Sequence, residues 1–295
     1  MSVDWAVACP FWSVQMTGHS APEADGDRWV RTVPADGLAI RVCTGGSGAP
    51  LLLIMGIGGH LDMWVPLERI LHQSGIRTIS YDAPGTGGSQ PYRTPHRIGR
   101  LVRTTQRLLD TLGVGEVDVL GVSFGGGVAQ QLALQLPSRV RRLVLAATST
   151  GALSFPGHPA ALLALATPRR YFDPAYYHRI APKVFGGVSR HNPEAAAAAR
   201  FSHPPSITGY VHQLYAAAGW TSLWWLHRIR QPTLVLAGDD DPIVPLANGR
   251  LLASRIPDAR LHVVAGGGHL FLLEQADVVG PVIADFLAEP AAATI

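Results

Sequence analysis

Cysteine is scarce: only Cys9 and Cys43 occur in 295 residues, so neither a disulfide framework nor a cysteine-rich metal module organises the chain. Lysine is rarer still, with Lys183 the single one, and Lys and Arg together number 24 against 21 Asp and Glu. The arginines are scattered and no run lays a basic stripe along one face, which excludes nucleic acid as a partner. Charged residues make up only 15% of the chain and apolar ones 47%, which excludes a disordered chain and leaves a globular one with ample core material. No apolar run approaches the roughly 18 residues of a membrane span, so no transmembrane segment is expected. No Lys or Arg precedes Arg28, so the charged start of a secretory signal is not seen and the chain reads as cytoplasmic. Metal spacing is missing too: none of the twelve histidines stands in an H-E-x-x-H pattern, and no metal is expected.

What is present is alternation. Short β-branched apolar runs at 29–33, 38–44, 51–55, 77–81, 117–122, 140–147, 233–237 and 260–264 read as strands. Segments of helical period at 63–73, 97–112, 125–136, 246–255 and 276–287 fall between or after them. This is the pattern of parallel βαβ units, an α/β fold with a mostly parallel twisted sheet flanked by helices. From 148 to 230 the strand signal vanishes in favour of short alanine-rich helical stretches, several prolines and the tryptophans Trp220, Trp224 and Trp225. The predicted organisation is an N-terminal extension (1–27) without a clear pattern, a core (28–147 and 231–288), a helical lid (148–230) and a C-terminal tail (289–295).

The strand at 117–122 runs into Gly121-Val122-Ser123-Phe124-Gly125 and then a helix. G-x-S-x-G in a strand-to-helix setting is the nucleophile elbow: the turn is so tight that positions two before and two after the serine must be glycine. A serine hydroxyl needs a base within hydrogen-bond reach, itself oriented by a third group. Two later strand ends supply them, Gly238-Asp239-Asp240-Asp241-Pro242 and Gly266-Gly267-Gly268-His269. His269 is the expected base, and Asp241 is the expected acid by its place in the G-x-x-D-x-x-x-P loop. Asp239 and Asp240 read as turn residues. Acyl transfer also needs donors for the oxyanion. The glycine-rich run Gly56-Ile57-Gly58-Gly59 after the strand at 51–55 assigns them to the backbone N–H groups of Ile57 and Phe124. Asp82, in a Pro/Gly turn after another strand, reads as structural.

With these motifs placed, the chain resembles the α/β-hydrolase superfamily over about residues 28–288. Within it, the chain is similar to the intracellular medium-chain-length poly(3-hydroxyalkanoate) depolymerases. Gly56-Ile57-Gly58, Thr167-Pro168-Arg169-Arg170-Tyr171, Gly219-Trp220-Thr221-Ser222, Trp225-Leu226-His227 and Gly268-His269-Leu270-Phe271-Leu272 carry the likeness. The resemblance implies the α/β-hydrolase fold with a lid and a triad on Ser123, Asp241 and His269. It further implies hydrolysis of stored polyester to 3-hydroxy acids or oligomers without a cofactor, and a storage granule surface as a partner. Trp224, Trp225 and Leu270 are the expected substrate contacts. A general carboxylesterase or a carbon–carbon bond hydrolase acting on small substrates would use the same triad, and a non-catalytic binding protein on this fold is the remaining class.

Overall fold

The computed structural model describes residues 23–25 and 28–290. The expected N-terminal extension therefore lies outside the described residues except for 23–25, as does most of the tail. Nine described strands form one sheet: β1 (Glu23–Asp25), β2 (Arg28–Ala35), β3 (Leu38–Gly45), β4 (Pro50–Ile54), β5 (Arg77–Tyr81), β6 (Val117–Val122), β7 (Val140–Ala146), β8 (Thr233–Gly238) and β9 (Ala259–Val264). Their order is β1-β2-β3-β5-β4-β6-β7-β8-β9. The first three strands pair antiparallel, β3 meets β5 antiparallel, and every later pairing is parallel.

Parallel strands covered on both faces need apolar residues on both, and β4 shows how the sequence supplies them. Leu52 and Ile54 enter the core beneath helices α2 (Ile98–Thr111) and α3 (Phe124–Gln135). Leu51 and Leu53 point to the opposite core, which α1 (Val65–Gln73) and a C-terminal helix close. Helix α2 buries Ile98, Leu101, Val102, Thr105, Leu108 and Leu109, the spacing of one apolar stripe, and leaves Arg103 and Arg107 outside. One charged pair sits deep in this frame: Arg28 Nε at the start of β2 lies 2.7 Å from Glu68 on α1, whose carboxylate is fully buried. Ser80 donates to the same carboxylate at 2.8 Å.

Between β7 and β8 the chain forms α4 (Pro159–Leu165), α5 (Pro174–Val184), α6 (Ala197–Ser202) and α7 (Ile207–Ala217), with 3-10 turns among them. Helices α4, α5 and α6 share a core of their own, including Tyr177, Ala181, Val184 and Phe185, that also takes in Ile243 and Leu270 from the sheet side, whereas Ala216 of α7 joins the sheet core. After β8 follow α8 (Leu246–Arg255), then β9, α9 (Phe271–Glu274) and α10 (Ala276–Ala288). The loops after β4, β6, β8 and β9 all leave from the carboxyl ends of parallel strands, the edge where open α/β sheets place their sites.

Candidate active site

Ser123 stands between β6 and α3 with φ 55° and ψ −120°, a left-handed backbone that a non-glycine residue adopts only when its surroundings impose it. The imposition is visible. A Cβ on Gly121 would collide with the Gly125 carbonyl oxygen, and one on Gly125 with that of Ile54. The strained residue is tied at both ends, Ser123 N donating to Ala146 O at 2.9 Å and Thr148 Oγ1 donating to Ser123 O at 2.7 Å.

The loops after β8 and β9 bring their side chains to this point. His269 Nε2 lies 3.0 Å from Ser123 Oγ, and His269 Nδ1 lies 2.8 Å from Asp241 Oδ2. The other Asp241 oxygen accepts the amides of Ile243 and Val244 at 2.8 and 2.9 Å, which fixes the carboxylate's direction. The helical segment helps to hold the histidine, since its backbone N–H donates to Phe185 O at 2.7 Å. With Nδ1–H donating to the Asp241 carboxylate, Nε2 is left to accept from the serine, the arrangement that turns a hydroxyl into a nucleophile. Asp240 is turned away: Arg190 and the Gly187 amide hold its carboxyl below the usual carboxylate range.

Among the described residues, the Ile57 and Phe124 amides donate to no other protein group, and both residues line the same cavity as Ser123. Residues to which the sequence assigned no role at the site hold the first of these loops. Tyr171 donates its hydroxyl to Ile57 O at 2.7 Å, Arg170 adds a longer contact of 3.5 Å, and Gln213 Oε1 accepts the Gly58 amide at 2.7 Å. Gly58 has φ 72° and faces the Tyr171 and Tyr210 rings so closely that no Cβ fits.

Two cavities meet at Ser123. The larger, about 400 Å³, is walled by Phe124, Leu162, Leu165, Leu214, Trp220 and Val244 among others. The smaller, about 50 Å³, is lined by Met55, Arg170, Tyr171, Arg200, His269 and Leu270 among others. Leu270 thus takes a place at the site, whereas the expected contacts Trp224 and Trp225 line neither cavity. Trp225 packs edge-to-face on Trp220 at 6.0 Å and against the sheet core, while Trp224 is 70% exposed. Trp220 is the tryptophan that reaches the cavity, anchored by its Nε1 donating to Gln131 at 3.0 Å.

Asp82 is fully buried, lines neither cavity and accepts the Leu61 and Gly88 amides at 2.7 and 2.8 Å. Burial pushes its carboxyl up, against the pull of those amides and of Arg41. His60, Asp62 and His203 bring potential ligand atoms within 4.8 Å of one another. Arg41, however, takes both Asp62 oxygens at 2.9 and 3.1 Å and neutralises the charge a cation would need.

The family model described as alpha/beta hydrolase fold matches residues 49–276. The chain is 46% identical over 267 residues to a poly(3-hydroxyalkanoate) depolymerase of Ectopseudomonas oleovorans, a match covering 88% of this chain and 92% of that protein. It is 31% identical over 280 residues to a 2-hydroxymuconate semialdehyde hydrolase of Pseudomonas sp. strain CF600, covering 90% and 96% respectively. Among solved structures it is similar to the enol-lactonase from Burkholderia xenovorans LB400, with a TM-score of 0.76, 25% identity, and coverage of 88% of this chain and 100% of that one. The chain belongs to the alpha/beta hydrolase fold family and is an ester hydrolase.

Proposed function

We propose that the protein hydrolyses medium-chain-length poly(3-hydroxyalkanoate), or oligomers of it, through an acyl-enzyme on Ser123. The observation that carries the reading is the apolar cavity of about 400 Å³ that opens onto Ser123 beside the free Ile57 and Phe124 amides. Its volume suits an alkyl-bearing acyl unit and its walls offer that unit little hydrogen bonding. The 46% identity to a poly(3-hydroxyalkanoate) depolymerase supports the same substrate class.

In the proposed cycle His269 takes the Ser123 proton as Oγ attacks the ester carbonyl, and Asp241 holds the imidazole and stabilises its charged form. The Ile57 and Phe124 amides receive the oxyanion, the second at the amino end of α3 where the helix dipole adds to the attraction. The tetrahedral intermediate collapses, and the imidazolium protonates the departing alkoxide. Water, deprotonated by His269, then attacks the acyl-enzyme and releases the 3-hydroxy acid or oligomer with Ser123 restored. The segment 148–230 serves as the lid in this reading, because Tyr171 and Gln213 brace the oxyanion loop from it. A storage granule is the proposed partner surface, which the exposed side chains of Leu163 and Trp224 would meet.

The test is release of 3-hydroxy acids from an amorphous medium-chain polyester suspension by wild type and Ser123→Ala. We predict release by wild type and a loss of about 10⁴-fold or more in the variant, with its thermal unfolding midpoint little changed. Cleavage of p-nitrophenyl octanoate without release from polymer would reduce the reading to a small-ester carboxylesterase.

A further inference from the structure

The smaller cavity contains two buried guanidinium groups, neither in direct contact with a carboxylate among the described residues. Arg170 and Arg200 are 1% and 2% exposed, and both line it together with Ser123 and His269. Among the described residues neither guanidinium forms a salt bridge, and the Nε of each meets no hydrogen-bond partner. Arg170 donates to Thr167 O at 3.1 Å and to the Tyr210 hydroxyl at 2.6 Å. Arg200 lies against the rings of Tyr171, Tyr177 and Phe185, 5.0, 5.3 and 4.8 Å from their centroids. Glu274 feels the charge of Arg200 without forming a salt bridge to it: one of its oxygens accepts from the Ser189 hydroxyl, the other is buried without a hydrogen-bond partner, and burial pushes the carboxyl up. Ring faces offset part of the cost of burying a cation, yet a buried guanidinium is stabilised far more by a carboxylate.

Geometry says which part of a substrate would bring that carboxylate. The leaving oxygen must take its proton from His269 Nε2, and His269 lines the smaller cavity, not the larger one. The leaving group therefore extends toward Arg170 and Arg200, while the acyl part occupies the apolar cavity. About 50 Å³ admits a carboxylate and a short carbon link.

Resting on the ester-hydrolase mechanism above, we propose that Arg170 and Arg200 bind the free carboxylate of the leaving group. The preferred esters are then those whose alcohol part is a hydroxy acid, as in the carboxyl-terminal unit of a 3-hydroxyalkanoate oligomer. Cleavage there releases one hydroxy acid at a time from the chain end.

The test compares kcat/KM for 3-(octanoyloxy)propanoate and for its neutral amide, 3-(octanoyloxy)propanamide, with p-nitrophenyl octanoate as a control. The ratio of the first two is independent of the fraction of active enzyme. Wild type should favour the carboxylate by about tenfold or more. Arg200→Leu should bring the ratio to within about threefold of unity, and Arg200→Lys should restore much of it. Equal rates in wild type, or a preference that survives Arg200→Leu, would overturn the proposal. Should Arg200→Leu fail to fold, inhibition of wild type decides. 3-Hydroxypropanoate must then inhibit p-nitrophenyl octanoate hydrolysis about tenfold more strongly than 3-hydroxypropanamide, and equal inhibition overturns the assignment. Failure of wild type to cleave p-nitrophenyl octanoate at all is a different result, which removes the ester-hydrolase mechanism itself.

Discussion

Gln213 lies far along the chain from the catalytic serine proposed here, yet its side-chain oxygen is what the Gly58 amide donates to, in a setting where Gln213 is only 3% exposed. Replacing it with leucine keeps the bulk and removes the acceptor, leaving a buried amide unpaired at a cost of about 1–3 kcal/mol. The loop would relax by moving the neighbouring Ile57 amide. We therefore predict that Gln213→Leu lowers kcat for p-nitrophenyl octanoate by about 10- to 100-fold while KM changes by less than about threefold, since an oxyanion donor acts in the transition state. A change confined to KM would mean that the loop does not depend on this anchor. Ser123, Asp241 and His269 were legible because the constraints on each are local: a glycine two places on either side, a strand end, a turn that fixes a carboxylate. Gln213, Tyr171, Arg170 and Arg200 carry no such local mark, because their roles arise only when the helical segment folds back over the loops. The tryptophans show the same limit. Trp220, Trp224 and Trp225 are equivalent as composition, and the turn through Ser222 sends one to the cavity, one to solvent and one against the core.

At the scale of elements, the central strands β4, β6 and β8 were legible because parallel strands buried on both faces are continuous apolar runs, and α2 because its arginines interrupt one apolar stripe at helical spacing. The small departures have local causes. The run at 63–73 begins as a 3-10 turn (Leu61–Trp64), because Pro66 suits the first turn of the helix that follows. The strand predicted to end at 147 ends at Ala146, where the next residue takes φ 44°. The Arg28–Glu68 pair, which joins β2 to α1, left no trace in the pattern and offers a test of its own. Burial drives the Glu68 carboxyl above the ordinary range, while Arg28 pulls it back down. A folded acid with a raised pKa keeps a proton that the unfolded chain releases. Stability is therefore lost as pH rises from the ordinary glutamate value, about 4.3, through the folded one. Arg28→Met removes the downward pull and widens that window. We predict a loss of about 3–5 kcal/mol relative to wild type at pH 8 and distinctly less at pH 5, measured by urea unfolding. Equal losses at the two pH values would show that Glu68 stays in one protonation state.

At the scale of the molecule, the sheet gathers four loops at one edge and the helical segment closes over them, dividing the space at Ser123 into a large apolar cavity and a small charged one. Outside that space, Trp224 stands exposed with no part in either cavity. If it meets polyester at a granule surface, Trp224→Ser should slow release from a suspension by about threefold or more and leave soluble p-nitrophenyl octanoate within about twofold of wild type. Parallel rates on both would remove the residue from that role. The central claim is that Ser123, activated by His269 and Asp241, carries the acyl group. Rapid acid quenching of wild type during turnover of p-nitrophenyl octanoate, followed by peptide mass mapping, reads this directly. The account predicts an octanoyl group on the peptide containing Ser123 and none on any other residue; an acyl group at another side chain, with Ser123 unmodified, would contradict it.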